Sequence, residues 1–191
     1  MDEIERLLDE LRMRYPGKRL VLGEGEPSAS VMLIGEAPGE QEEKQARPFV
    51  GKAGKNLDEM LSLAGIPRTC LYITNTVKLR PTQPGKGGRV RNRLPSVTEI
   101  EDFLPFLKAE ITLMAPRFIV TLGNTPLKAL LGSKARIGEI HGQLVDYEGA
   151  QLYPMYHPAS LIYTPSLRQV YESEAVRLGI LLKDAHCVTE K

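Results

Sequence analysis

Cysteine is scarce in this chain: only Cys70 and Cys187 occur among its 191 residues. Two unpaired cysteines so far apart support neither a disulfide framework nor a cysteine-held metal cluster. Three scattered histidines, His141, His157 and His186, do not suggest a zinc site either. No uninterrupted apolar run is long enough to span a bilayer, and the acidic start Met1-Asp2-Glu3-Ile4-Glu5 is unlike a signal peptide. A reduced cytoplasmic protein with no membrane contact is therefore expected. Strong charge of one sign is also missing: the formal net charge is +1, so a nucleic-acid partner has to be argued from local charge. There is no internal repeat and no low-complexity segment. What remains is an ordinary globular composition, 42% hydrophobic and 26% charged. The length suits one domain with a real core, and residues 1–191 are read as that single domain.

Short apolar runs alternate with helical patterns. Val31-Met32-Leu33-Ile34 has the length and composition of a buried strand, and breaks at Gly35-Glu36-Ala37-Pro38-Gly39. Residues 70–77 (CLYITNTV) and 118–122 (FIVTL) read as two more strands. Gln143 to Tyr147 and Leu152 to Met155 read as a strand pair about the turn at Glu148-Gly149. Arg19 to Gly23 reads as a short extended lead-in. Helices are expected over 4–13, 56–64, 96–114, 123–132 and 170–182; Ser96 and Glu99 stand at capping-box spacing, and Pro105 should kink or break its helix. Residues 82–95 read as a long loop. Strands separated by helices imply a mainly parallel sheet covered on both faces.

In such a sheet, ligands bind beyond the carboxyl ends of the strands. Glu36, Asn75 and His157 fall at three of those ends, on one side. Phe49, in Arg47-Pro48-Phe49-Val50-Gly51, adds an aromatic suited to a flat, polar ligand. Between Lys78 and Arg93 the chain carries Lys78, Arg80, Lys86, Arg89, Arg91 and Arg93 and no acidic residue.

The stretches GEAPGE...RPFVGKAG, YITNTVK, NRLPS and HPASLIYTPSLR resemble the family 4 uracil-DNA glycosylases, in the same order and at similar intervals, from about Gly23 to the last helix. The resemblance implies an α/β fold, a three-layer α/β/α sandwich with a central, mainly parallel four-stranded sheet. It implies a monofunctional glycosylase that hydrolyses the N-glycosidic bond of uracil in DNA, double- or single-stranded, as a monomer. Asn75 matches the base-reading asparagine, whose amide can pair with uracil O4 and N3–H together but not with cytosine. Phe49 matches the stacking aromatic, and the backbone of Ala37, Pro38 and Gly39 lines the pocket. His157 matches the histidine that stabilises the leaving anion at O2. Glu36 matches the glutamate that positions water and stabilises the cationic sugar; Glu40, Glu42 and Glu43 lie close by. Ala159, Ser160 and Leu161 match the loop that enters the minor groove, with Leu161 as the wedge. Lys78, Arg80, Arg89, Arg91 and Arg93 are the expected phosphate contacts.

The departures carry their own expectations. The family usually holds a four-iron, four-sulfur cluster on four cysteines. Here Leu79 and Phe103 occupy two of those positions and the segment before Gly23 has no cysteine pair, so no cofactor and no metal are expected. Leu79 and Phe103 can pack together in its place. A related branch traps DNA through a histidine in the basic loop, where this chain has Arg91, Asn92 and Arg93, so turnover is expected. Two further readings stay open: a non-catalytic DNA-binding module of the same fold, and a glycosylase preferring another deaminated base such as hypoxanthine.

Overall fold

The computed structural model describes residues 3–188; Met1 and Asp2 of the acidic start, and residues 189–191, lie outside the described residues. Helix α1 (Glu3–Arg14) buries Ile4 and Leu11. The extended lead-in expected over 19–23 gives way to a two-residue edge strand, β1 (Glu24–Gly25). Strand β2 (Val31–Gly35) is buried along its whole length. Its side chains alternate, so Val31 and Leu33 enter one core while Met32 and Ile34 enter another. A short helix α2 (Glu40–Gln45), not foreseen in the sequence, precedes α3 (Lys52–Ala64), which begins four residues earlier than its apolar spacing indicates. Strand β3 (Leu71–Asn75) follows and is again wholly buried.

Residues 82–95 are not all loop. Strands β4 (Thr82–Pro84) and β5 (Val90–Asn92) form an antiparallel hairpin, pairing Gln83 with Arg91. Gly87 and Gly88, at φ 69° and 74°, supply the left-handed backbone that reverses the chain. Strands this short leave no periodic signal in a glycine- and proline-rich sequence. Helix α4 (Val97–Met114) starts with the expected capping box: Glu99 N–H donates to Ser96 Oγ at 3.2 Å and Ser96 N–H to Glu99 Oε2 at 2.8 Å. It continues through Pro105, which sits on the exposed face where water can satisfy the carbonyl that proline leaves without a donor.

Strand β6 (Phe118–Leu122), helices α5 (Asn124–Leu131) and α6 (Ile137–Ile140), and the strand pair β7 (Val145–Tyr147) and β8 (Ala150–Met155) complete the sheet. A single helical turn, α7 (Ser160–Tyr163), leads to α8 (Arg168–Asp184). The sheet order is β1-β3-β2-β6-β8-β7. The four central strands are parallel, as expected, and the two edge strands run antiparallel to them. Helices α3 and α8 bury Leu57, Leu61, Leu178 and Leu182 against one face. Helices α1, α4 and α5 bury Ile4, Leu107, Ile111 and Leu127 against the other. The architecture is a three-layer α/β/α sandwich. Parallel alignment brings the carboxyl ends of β3, β2 and β8 to one edge, with Gly35 directly opposite Asn75.

Candidate active site

Beyond those strand ends lies a cavity of about 380 Å³ whose lining includes Glu36, Phe49, Asn75 and His157. Ala37, Pro38, Gly39 and Ala159 line it as well. Gly35 is what lets the parts approach. A Cβ there would stand 2.4 Å from Asn75 Oδ1 and 2.5 Å from Phe49 Cζ, so any side chain would occupy the space the amide and the ring share. The rings of Phe49 and His157 lie 6.0 Å apart at 29°. A larger groove of about 830 Å³, between α1, residues 17–24 and α2, contains none of the expected site residues.

The hydrogen bonds define His157 chemically. Ala159 N–H donates to His157 Nδ1 at 3.1 Å, so Nδ1 acts as an acceptor. Burial pushes the imidazole pKa down to about 4, which leaves the ring neutral at physiological pH. A neutral ring accepting at Nδ1 carries its proton on Nε2, so Nε2–H is the group left to donate. Glu36 is held differently. Thr125 Oγ1 donates to its Oε2 at 2.6 Å, and burial raises the carboxyl above the usual carboxylate range while that hydrogen bond opposes the rise.

The neighbouring glutamates are engaged elsewhere. Glu40 pairs with Lys44 at 2.5 Å, and Glu43 with Arg80 at 3.2 Å. Glu42 Oε1 accepts the backbone N–H groups of Gly51 at 2.7 Å and Val50 at 3.1 Å. That contact supports Phe49, whose φ of 54° is uncommon for a residue with a side chain. Arg68 adds to the support, donating to the carbonyls of Pro48 at 2.8 Å and Phe49 at 3.3 Å. Asn56 Nδ2 donates to the Pro158 carbonyl at 2.9 Å and steadies the segment after His157. Thr125, Glu42, Arg68 and Asn56 were not singled out in the sequence. Only Glu42 had a signal, its place in the first motif; the others act across distances that no local pattern reveals.

The expected DNA contacts divide. Lys78 is a correction: its side chain is 1% exposed and ion-paired to Glu110 at 2.5 Å, so it cannot reach a phosphate. Arg80 is nearly buried against Glu43 and donates to Asn92 Oδ1 at 2.7 Å. Arg93 is held by both oxygens of Glu99, at 2.6 and 2.7 Å. Arg89 and Arg91, with Lys86, stand exposed on the β4–β5 hairpin. Leu161 is a second correction. It is 7% exposed and joins the core with Met155 and Tyr171, because the turn of α7 rotates it inward. Ile162 and Tyr163, 45% and 83% exposed, face the mouth of the cavity instead. Ser160 begins that turn, donating its N–H to the His157 carbonyl at 2.8 Å.

An iron–sulfur cluster does not fit these residues. Leu79 and Phe103 share one apolar cluster with Leu11 and Val77, and Tyr15 stacks on Phe103 at 4.8 Å. Cys70 and Cys187 pack against the separate core beneath α3 and α8. Among the described residues, no group of three or more His, Cys, Asp or Glu side chains is placed to hold a metal ion. No helix among them is long and apolar enough to cross a membrane.

Residues 22–178 match the profile described as the Uracil DNA glycosylase superfamily. The chain is 36% identical to a type-4 uracil-DNA glycosylase of Pyrobaculum aerophilum, over 91% of this chain and 89% of that protein. It is 34% identical to the type-4 enzyme of Sulfurisphaera tokodaii, over 91% and 82% of the two chains. With the type-4 enzyme of Thermotoga maritima the identity is 39%, over 75% and 71%.

Proposed function

We infer that this chain, which belongs to the uracil-DNA glycosylase superfamily, hydrolyses the bond between uracil and deoxyribose in DNA and leaves an abasic site. The observation that carries the mechanism is the convergence of Glu36, Phe49, Asn75 and His157 on one cavity. The glycosidic bond is out of reach inside the helix, so the nucleotide is first turned out of the stack. Its base slides against Phe49, a contact worth about 1–3 kcal/mol. The Asn75 amide pairs with O4 and N3–H together; cytosine offers a donor and an acceptor in the reverse order and meets two mismatched groups. As the bond lengthens, negative charge gathers on the base and positive charge on the sugar. Nε2–H of neutral His157 donates to O2, and a donor preset at developing charge is worth about 10²–10³ in rate. Glu36, as carboxylate, orients water on the sugar's other face and offsets its positive charge.

Around the cavity, Lys86, Arg89 and Arg91 are the phosphate contacts. Ile162 and Tyr163 take the wedge role first assigned to Leu161 and fill the space the base has left. The enzyme works without an iron–sulfur cluster. Among the described residues, Lys52 is the only lysine in the cavity lining, and it is exposed, so strand cleavage through a Schiff base is not part of the proposed activity.

The test is a labelled oligonucleotide with one uracil, incubated with iron-free protein and then treated with alkali. Strand breaks that need both protein and alkali are expected, and Asn75→Ala or His157→Ala should lower the excision rate at least a hundredfold. Uracil left intact by folded protein that binds the DNA would overturn the reading.

A further inference from the structure

The buried pair Lys78–Glu110 sits directly behind Asn75 and takes no part in the mechanism above. Lys78 Nζ has three protons and places all of them: on Thr74 Oγ1 at 2.6 Å, on the Asn75 carbonyl at 2.8 Å and on Glu110 Oε2 at 2.5 Å. Glu110, reaching in from α4, also accepts from the Tyr72 hydroxyl at 3.2 Å and the Thr74 hydroxyl at 3.3 Å. Both charged side chains are 1% exposed. A fully buried ion pair seldom raises stability above that of apolar side chains of the same size, because desolvating the two charges costs about as much as their attraction returns. Folding alone therefore gives no reason for charges at this depth. What the pair grips does give one.

We propose that Lys78 and Glu110 are positioning residues that fix the base-reading amide of Asn75, the lysine holding the Asn75 carbonyl and the glutamate holding the lysine. The inference rests on Asn75 being the base reader. The segment after Asn75 is also tied to the end of β2 and the residue beyond it, where Thr76 N–H donates to the Gly35 carbonyl at 2.9 Å and Val77 N–H to the Glu36 carbonyl at 3.0 Å. Lys78 supplies a further restraint, on the Asn75 carbonyl itself. With the backbone held from both directions, the Cα–Cβ bond of Asn75 leaves the strand end at one angle, which fixes the point from which the amide reaches the base. Discrimination between uracil and cytosine needs that rigidity, because an amide free to shift or turn can accommodate either base. Thr74, whose hydroxyl accepts from Lys78 and donates to Glu110, is the link that keeps lysine and carboxylate in register.

The test compares the parent with Lys78→Met/Glu110→Leu, which replaces the pair by apolar side chains of similar volume. Three quantities are measured: the single-turnover excision rate, the inhibition constant of free uracil, and the thermal midpoint. The expected result is a midpoint within a few degrees of the parent, a rate at least tenfold lower, and free uracil bound at least tenfold more weakly. Affinity for a duplex carrying an abasic site should not change. A folded double variant with parental rate and parental uracil affinity overturns the proposal, since a purely structural pair would leave both untouched at constant midpoint. Should the double variant not fold, Thr74→Val, which keeps both charges and removes only the link, is expected to lower the rate severalfold; a parental rate there overturns the proposal. Asn75→Ala is run alongside. If it retains full activity, the assignment of Asn75 as base reader falls and this inference with it. If it is inactive while the double variant is fully active, only the positioning role falls.

Discussion

Burial acts on His157 and Glu36 with opposite consequences, because it penalises charge and the two groups carry charge in opposite protonation states. His157 is neutral down to about pH 4, whereas Glu36 takes up its proton above the ordinary carboxylate range. On acidification the Glu36 carboxylate, to which the proposed mechanism assigns the water, is therefore lost while the imidazole is still neutral. The acid limb of kcat/KM should belong to Glu36, lie above the usual carboxylate range, and vanish in the slower variant Glu36→Gln. Stability is affected by His157 in the other sense. Between about pH 6.5 and 4 the unfolded chain binds a proton that native His157 refuses, so its contribution is complete above 6.5 and declines as pH falls toward 4, by on the order of 3 kcal/mol. Urea unfolding at pH 7 and pH 4.5 should show a smaller difference in His157→Gln than in the parent. Gly35 sets the remaining geometry by having no side chain. Gly35→Ala is expected to lower excision at least a hundredfold while unfolding loses only about 1–3 kcal/mol, because the added methyl meets Asn75 and Phe49 in the space the base needs.

The elements around the cavity separate the exposed cations from those held in ion pairs. On the β4–β5 hairpin, Arg89 and Arg91 have exposed side chains, and each should lower the slope of log affinity against log salt by about 1 when changed to alanine. The turn of α7 makes a different prediction. A wedge matters only where a base leaves a stacked duplex, so Tyr163→Ala should slow excision from double-stranded DNA far more than from single-stranded DNA, as parallel rate measurements on the two substrates would show. These same elements mark how far the sequence could be read. Runs such as 31–34 and 118–122 declare themselves because a strand covered on both faces is apolar throughout, and the polar residues at strand ends declare the site. Lys78 reads as one more loop cation because its partner, Glu110, lies 32 residues away on α4. Leu161 looked like a wedge because one residue of rotation in a four-residue turn decides which side chain faces solvent. Support for Phe49 from Arg68 is invisible for a like reason: it exists only after the chain has closed on itself.

At the scale of the whole molecule, the question is what ties α1, the strand-end segment and α4 together when Leu79 and Phe103 stand where the resemblance implies cluster-binding cysteines. The apolar cluster of Leu11, Val77 and Phe103, with Leu79 and Tyr15 against it, draws one or more residues from each of these parts. Around it, Tyr15 and Arg14 both hydrogen-bond the Asp102 carboxylate of α4, which fastens the end of α1 to the first turns of that helix. Such packing is continuous and non-directional, so it holds the parts by area and fit instead of by four covalent ligands. On the proposed reading, this packing takes the place of iron and of thiol ligands. Protein prepared with a strong chelator should therefore match untreated protein in both thermal midpoint and excision rate. Phe103, 2% exposed at the centre of the cluster, should carry the load. Phe103→Ala is expected to cost about 3–5 kcal/mol, which in a chain of this size lowers the midpoint by about 6–20 °C. At 25 °C the folded variant should still excise uracil, because Leu11, Val77 and Phe103 are not among the residues that line the cavity. A midpoint unmoved by Phe103→Ala, or a parent that loses activity to the chelator, would show that something other than this apolar packing replaces the metal.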